Sequence, residues 1–294
     1  LAAIPAETLT LMRESGLVAP TLQMLMRRNL QFVETREDYL SGMAHLTAFE
    51  GSWIQTGRMV GEASKLSPEN IPPLVRLRVV EEDFSRTAGL AGLDERLLDS
   101  PAAIGRIWRD FTWERTMIVS ADQTEAPMDQ ELMFEWRVLR GKTDLISIEP
   151  VGQDGRTARI RIAWHDPWFE AAIPGQGRKM RRASRVDIGV FARLGSSDSA
   201  PSIISITFPH HQLRQYETAP GGNARLISVN YDAIGRDAYF DPMLYWSAAW
   251  TDTARYDESD TRLIGWDRMT AKGHNIGFVS EEPEKRMSSY VLDG

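Results

Sequence analysis

Residues 185–208 read RVDIGVFARLGSSDSAPSIISITF, and this stretch decides the fold. Val186, Ile188 and Val190 alternate with Asp187 and Gly189; further on, Ile204 and Ile206 alternate with Ser205 and Thr207. Successive side chains of a strand point to opposite faces, so the pattern predicts two strands, each with one buried face. GSSDSAP between them supplies turn residues. On the N-terminal side, the same period of two runs through RTMIVSA (115–121), LMFEWRVL (132–139), LISIEPV (145–151) and ARIRIAW (158–164), separated by APMDQ, RGKTD and GQDGR. Short strands at this spacing predict two antiparallel sheets packed face to face. The expected inner layer is Phe134, Trp136, Ile148, Ile160, Ile162, Ile188, Val190, Ile204 and Ile206.

Before residue 113 the period changes. Residues 1–112 read as a mainly helical region, because apolar positions recur at three and four. Leu9, Leu11 and Met12 precede Gly16, a helix-ending residue, and Pro20 sits near the start of a helix through Leu22, Leu25, Met26 and Leu30. Thr35 and Asp38 resemble a capping box at the head of REDYLSGMAHL. Ser100-Pro101 reads as the start of a further helix over AAIGRIWRDF, while Arg76, Leu77, Arg78 and Val79 alternate as a strand or an extended arm would. Residues 212–294 form a third part, rich in aromatics: Tyr216, Tyr231, Tyr239, Phe240, Tyr245, Trp246, Trp250, Tyr256 and Trp266. It reads as a β-hairpin lobe with an exposed C-terminus. The fold class is therefore α+β in three parts, with a β-sandwich over 113–211.

The motif VSADQTEAPMDQELMFEWRVLRG, together with ARIRIAW and the 185–208 pair, resembles the polycystic-kidney-disease-type and related immunoglobulin-like β-sandwich domains of bacterial envelope and secreted proteins. The resemblance spans about residues 113–209. The acidic turn of that family is altered here, since Pro127 and Met128 stand where Asp and Gly are usual. RLISVNYDAIGR and ARYDESDTRLIGW are loosely similar to tyrosine-aspartate repeats of bacterial surface proteins. These resemblances imply an adhesive, spacer or docking module in a periplasmic or extracellular assembly.

The 34 Lys and Arg stand against 41 Asp and Glu, a net charge of -7 that repels phosphate backbones and disfavours nucleic acid. No cysteine is present, which rules out disulfides, thiolate metal sites and a cysteine nucleophile, and leaves the cytoplasm as open as the envelope. No apolar run approaches the roughly 18 residues of a membrane span. The start at Leu1 lacks Met and signal-peptide layout, which fits a fragment of a longer protein, including an enzyme whose catalytic part lies elsewhere.

Chemistry-bearing motifs are sparse. His210 and His211 are adjacent and on a strand would face apart, so no metal site is expected; His165-Asp166 reads as a strand end before Pro167 or as an imidazole oriented by a carboxylate. No cofactor is expected either, since neither a nucleophile elbow nor a phosphate-cradling glycine loop occurs. Tail carboxylates such as Asp252 and Asp257, beside aromatics, carry an alternative reading as a carbohydrate-active hydrolase. The run RKMRRASR (178–185) is the sharpest charge feature, either a solvated loop or an anionic docking patch. The leading expectation is a non-catalytic binding or structural module contacting a protein partner or glycan through Tyr245, Trp246, Trp250, Tyr256, Arg181 and Arg182.

Overall fold

The computed structural model describes residues 1–45, 50–89, 92–128, 130–173, 176–219, 221–231, 233, 249–257, 259, 262–270 and 272–280, with the backbone alone described over 172–173 and 176–179. Among them are four helices: α1 (Ala6–Glu14), α2 (Val18–Arg28), α3 (Arg36–Leu40) and α4 (Thr56–Ala63). The strands of the first half are β1 (Arg78–Glu82), β2 (Arg96–Ser100), β3 (Ala103–Ile107), β4 (Glu114–Ser120), β5 (Met133–Arg140), β6 (Ile146–Val151) and β7 (Thr157–Ala163). A hairpin, β8 (Trp168–Ile173) and β9 (Gln176–Ala183), precedes β10 (Arg185–Leu194), β11 (Ser197–Asp198) and β12 (Ser202–Thr207). The tail adds β13 (Leu213–Thr218), β14 (Ala224–Asn230), β15 (Trp250–Tyr256), β16 (Leu263–Thr270) and β17 (Asn275–Ser280).

The chain is thus mostly antiparallel β with a small helical N-terminus. One sheet has the order β1-β4-β7-β6. In a second, β10 pairs with β5 on one side and with β11 and β12 on the other; β12 continues to β3 and β2, the β12–β3 pair being parallel. Met117, Val119, Ile160 and Ile162 of the first sheet share one buried cluster with Trp136, Val186, Ile188, Val190, Ile204 and Ile206 of the second. Eight of the expected inner-layer residues are buried there and Ile148 packs against it half-buried.

The second sheet is covered on its other face too. Phe191 and Leu139 join a separate cluster with Met12, Met24, Leu25 and Tyr39 of the helices, so β10 is buried on both sides. Gly42 lies where this helical layer meets β5: a Cβ there would sit 2.2 Å from the Leu139 carbonyl oxygen, so only glycine permits the approach.

Local signals in the helical part act as their chemistry requires. Gly16 turns left-handed (φ 70°), letting Leu17 N–H reach the Met12 carbonyl at 2.8 Å and Gly16 N–H that of Arg13 at 3.4 Å, the paired bonds that close a helix end. Thr35 and Asp38 form the reciprocal capping box at the head of α3. Helix α4 has no side-chain cap, and no sequence signal marks its start.

One expectation is corrected. Ser100-Pro101 opens no helix; it is the turn of the β2–β3 hairpin. The Ser100 hydroxyl still accepts from the N–H three residues on, Ala103, at 3.0 Å, the bond a helix cap would make. The conformation beyond that bond is set by a distant partner, since Ala103–Ile107 runs beside Ile203–Thr207 of β12. Three strands, β1 to β3, therefore lie within the stretch expected to be mainly helical.

The tail strands form a five-stranded meander in the order β13 to β17. Trp266, Val229, Leu226 and Tyr231 make its core, and Phe111 from the preceding part packs on Trp266 with ring centroids 4.8 Å apart. Arg214 joins the two parts: its guanidinium lies 3.7 Å from the Trp164 ring centroid and donates to the Asp110 carbonyl at 2.6 Å.

Candidate interaction surface

The segment after β7 begins with AWHDPW, and His165 and Asp166 of this turn are both engaged by nearby groups. His165 is fully buried; its Nδ1 lies 2.8 Å from the Ala163 carbonyl and its Nε2 accepts the Lys142 N–H at 3.1 Å. That pattern places the proton on Nδ1 of a neutral ring. Burial pushes the imidazole below its ordinary range, although the Ala163 carbonyl favours the charged form. Asp166 does not orient it: its Oδ1 accepts from the Trp164 indole at 2.7 Å and from Arg214 N–H at 3.2 Å. The structural reading of this turn is the one realised. His210 Nδ1 meets the Ser184 hydroxyl at 3.0 Å, and among the described residues no group of three His, Cys, Asp or Glu side chains converges to hold a metal ion.

From Trp168 the chain forms the β8–β9 ribbon, with Phe169 opposite Arg182, Glu170 opposite Arg181, and Ala171 opposite Met180. Alternation gives it two unlike faces. On one, Trp168 packs against the core of the two sheets beside His165, and Glu170 accepts from Arg140 at 3.0 and 2.6 Å and from Arg181 at 2.9 Å. On the other, Phe169 is 63% exposed and Met180 55% exposed, and the Arg182 guanidinium lies 5.3 Å from the Phe169 ring centroid. The two arginines singled out in the sequence are therefore separated: Arg181 anchors the hairpin, and Arg182 joins the exposed apolar face. Phe169 and Met180 escape the sequence reading. Their signal is the alternation in WFEA and KMRR, which the density of charge in 178–185 obscures.

The aromatic residues divide differently. Trp250 is half-buried with the Arg268 guanidinium 3.7 Å from its ring centroid. Tyr256 donates to the Leu226 carbonyl at 2.7 Å and lies under Arg225, 4.6 Å away. Both rings are engaged by their own sheet. Tyr245 and Trp246 lie outside the described residues. Asp252 is fully buried and receives two bonds from Arg268, at 2.8 and 2.7 Å; burial pushes its carboxyl up while Arg268 opposes the shift. Asp257 accepts from Ser259 Oγ at 2.9 Å and Arg262 N–H at 3.2 Å, as a turn residue does.

A cleft of about 630 Å³ opens between the free edges of β1 and β2. Its cations are already matched, Arg96 reaching Glu82 at 3.0 Å and Arg78 pairing with Asp122, and its carboxylates Glu82 and Asp99 also take the buried Arg106 at 2.7 and 2.8 Å. Among the described residues, no helix is long and apolar enough to cross a membrane. Compared with protein-family models and with curated protein sequences, the chain matches none.

Proposed function

We propose that this chain is a non-catalytic binding module in which a rigid β-rich scaffold presents the β8–β9 hairpin to an acidic protein surface. The observation that carries the reading is the two-faced hairpin: one face is locked by Glu170, Arg140 and Arg181, and the other exposes Phe169 and Met180 beside Arg182. Aromatic, methionine and arginine side chains together are the usual composition of an interface core. The sequence of β9 adds Arg178 and Lys179, so the partner's complementary charge is negative. The resemblance of residues 113–209 to immunoglobulin-like envelope domains supports a sandwich-type docking role in a periplasmic or extracellular assembly.

A photo-crosslinking residue at Phe169, with the exposed Val151 as control site, tests this in cells that make the protein. A discrete adduct from position 169, absent from position 151 and lost when Arg182→Glu is added, is the expected result. Equal labelling at both sites, or no adduct at 169, overturns the proposal.

A further inference from the structure

Far from the hairpin, a pocket of about 410 Å³ lies between the end of α2, the loop leading into α3, helix α4 and the β10–β11 turn. Three arginines face it: Arg28, Arg36 and Arg58. Arg36 is matched, with both bonds to Asp198 at 2.7 Å and a further contact to Glu135. The other two are not. Arg58 donates to Asn29 Oδ1 at 2.9 Å and to the carbonyls of Arg28, Leu30 and Val33 at 2.6, 3.2 and 3.1 Å. Arg28 makes one long bond, 3.4 Å, to the Asp198 carbonyl, and lies 5.5 Å from the Tyr39 ring centroid. Among the described residues no carboxylate comes within 4.0 Å of either guanidinium. Carbonyl oxygens solvate a cation but carry no formal charge; Arg58 spends its Nε and Nη2 hydrogens on neutral acceptors and keeps Nη1, whereas the half-buried fork of Arg28 is little engaged and matches a carboxylate in shape.

The same pocket has acceptors to spare. Glu62 Oε2 accepts from Asn29 at 2.9 Å, its other oxygen has no partner among the described residues, and Glu34 stands exposed at the rim. Asn29 thus holds Arg58 and Glu62 apart, one on each end of its amide. Two arginines without an ion-pair partner among the described residues and a carboxylate open to donors define a ligand with both features. We propose that this pocket binds a small carboxylate-bearing molecule, its carboxylate between Arg28 and Arg58 and its hydroxyl or ammonium donors on Glu62. The proposal is independent of the hairpin reading.

Calorimetric titration of the intact protein at low salt, with glucuronate, glutamate and inorganic phosphate as separate probes, tests it. Saturable binding of glucuronate or glutamate is expected, weakened about tenfold or more by Arg28→Gln and by added salt. Glu62→Gln should weaken glutamate, whose ammonium loses its counter-charge, more than glucuronate, and equal affinity for glutamate in the variant and the parent would overturn the placing of the donors on Glu62. Arg28→Lys, which keeps the charge without the fork, should bind less tightly than the parent while keeping its melting temperature. No saturable heat with either carboxylate up to about 10 mM, unchanged affinity in Arg28→Gln, or binding of phosphate alone overturns the proposal.

Discussion

Arg181 and Arg182 are neighbours in sequence but occupy opposite faces of β9: Arg181 donates to Glu170 at 2.9 Å, and Arg182 lies over the ring of Phe169 at 5.3 Å. One side chain holds the hairpin down and the other is displayed. Their substitutions should therefore separate folding from binding.

Replacing Glu170 by Ala strands Arg140, whose side chain is 11% exposed, without its carboxylate. The expected loss is about 1–3 kcal/mol of stability. Arg182→Ala removes only an exposed ring contact and should cost about 0.5–1 kcal/mol or less. Urea unfolding of the two variants side by side checks the difference, and equal losses would contradict the assignment of faces.

His165 makes stability depend on pH. Its folded-state imidazole titrates below the ordinary value near 6.5, so the unfolded chain binds a proton that the folded one refuses. The contribution is complete above about pH 6.5 and is lost as pH falls from there toward the folded value. His165→Phe should flatten this part of a plot of stability against pH, by up to about 1.4 kcal/mol per pH unit.

Asp187 acts at lower pH. Burial alone would push its carboxyl up, but the His45 hydrogen bond at 3.0 Å, the charge of Arg185 and the Ser205 hydroxyl at 2.5 Å hold it below the usual carboxylate range. A depressed carboxyl stabilises the fold above its unfolded value near 3.9, and that stability disappears as pH falls through the folded value. Acid unfolding of Asp187→Asn should show a shallower dependence below about pH 4.

The Asp252–Arg268 pair tests the third sheet. Asp252→Asn removes the carboxylate charge that takes two bonds from the nearly buried Arg268 guanidinium, and the expected cost is about 1–3 kcal/mol. Loss of Trp266 fluorescence burial at lower urea would accompany it. A change within 0.5 kcal/mol or so would show that the pair is not buried as described.

Glycine positions give a graded comparison. Gly16→Ala meets no atom within 4 Å and bears only the left-handed backbone, about 1 kcal/mol. Gly42→Ala drives a Cβ to 2.2 Å from the Leu139 carbonyl oxygen and should cost distinctly more, about 2–4 kcal/mol, as the helical layer moves off β5. Thermal unfolding of both variants ranks them.

Much of this architecture is legible without coordinates. Alternation in 115–121, 132–139, 145–151, 158–164, 185–192 and 202–208 marks strands because side-chain direction follows from backbone geometry residue by residue. The Gly16 helix end and the Thr35 box are legible for the same reason, each being completed within a few residues. Ser100 misleads because its hydrogen bond to residue 103 suits a helix cap and a hairpin turn equally well.

The sequence by itself determined six of the extended segments between 115 and 208, the apolar face of those strands, and the run of basic residues at 178–185. Tertiary structure alone decided that Glu170 would meet Arg140 thirty positions away, that Asp187 would meet His45 across 142, and that Phe169 and Met180 would be left uncovered. The physical reason is range. Periodicity is a property of neighbouring bonds, whereas the pairing of distant charges and the exposure of a ring depend on which surfaces the folded chain brings together.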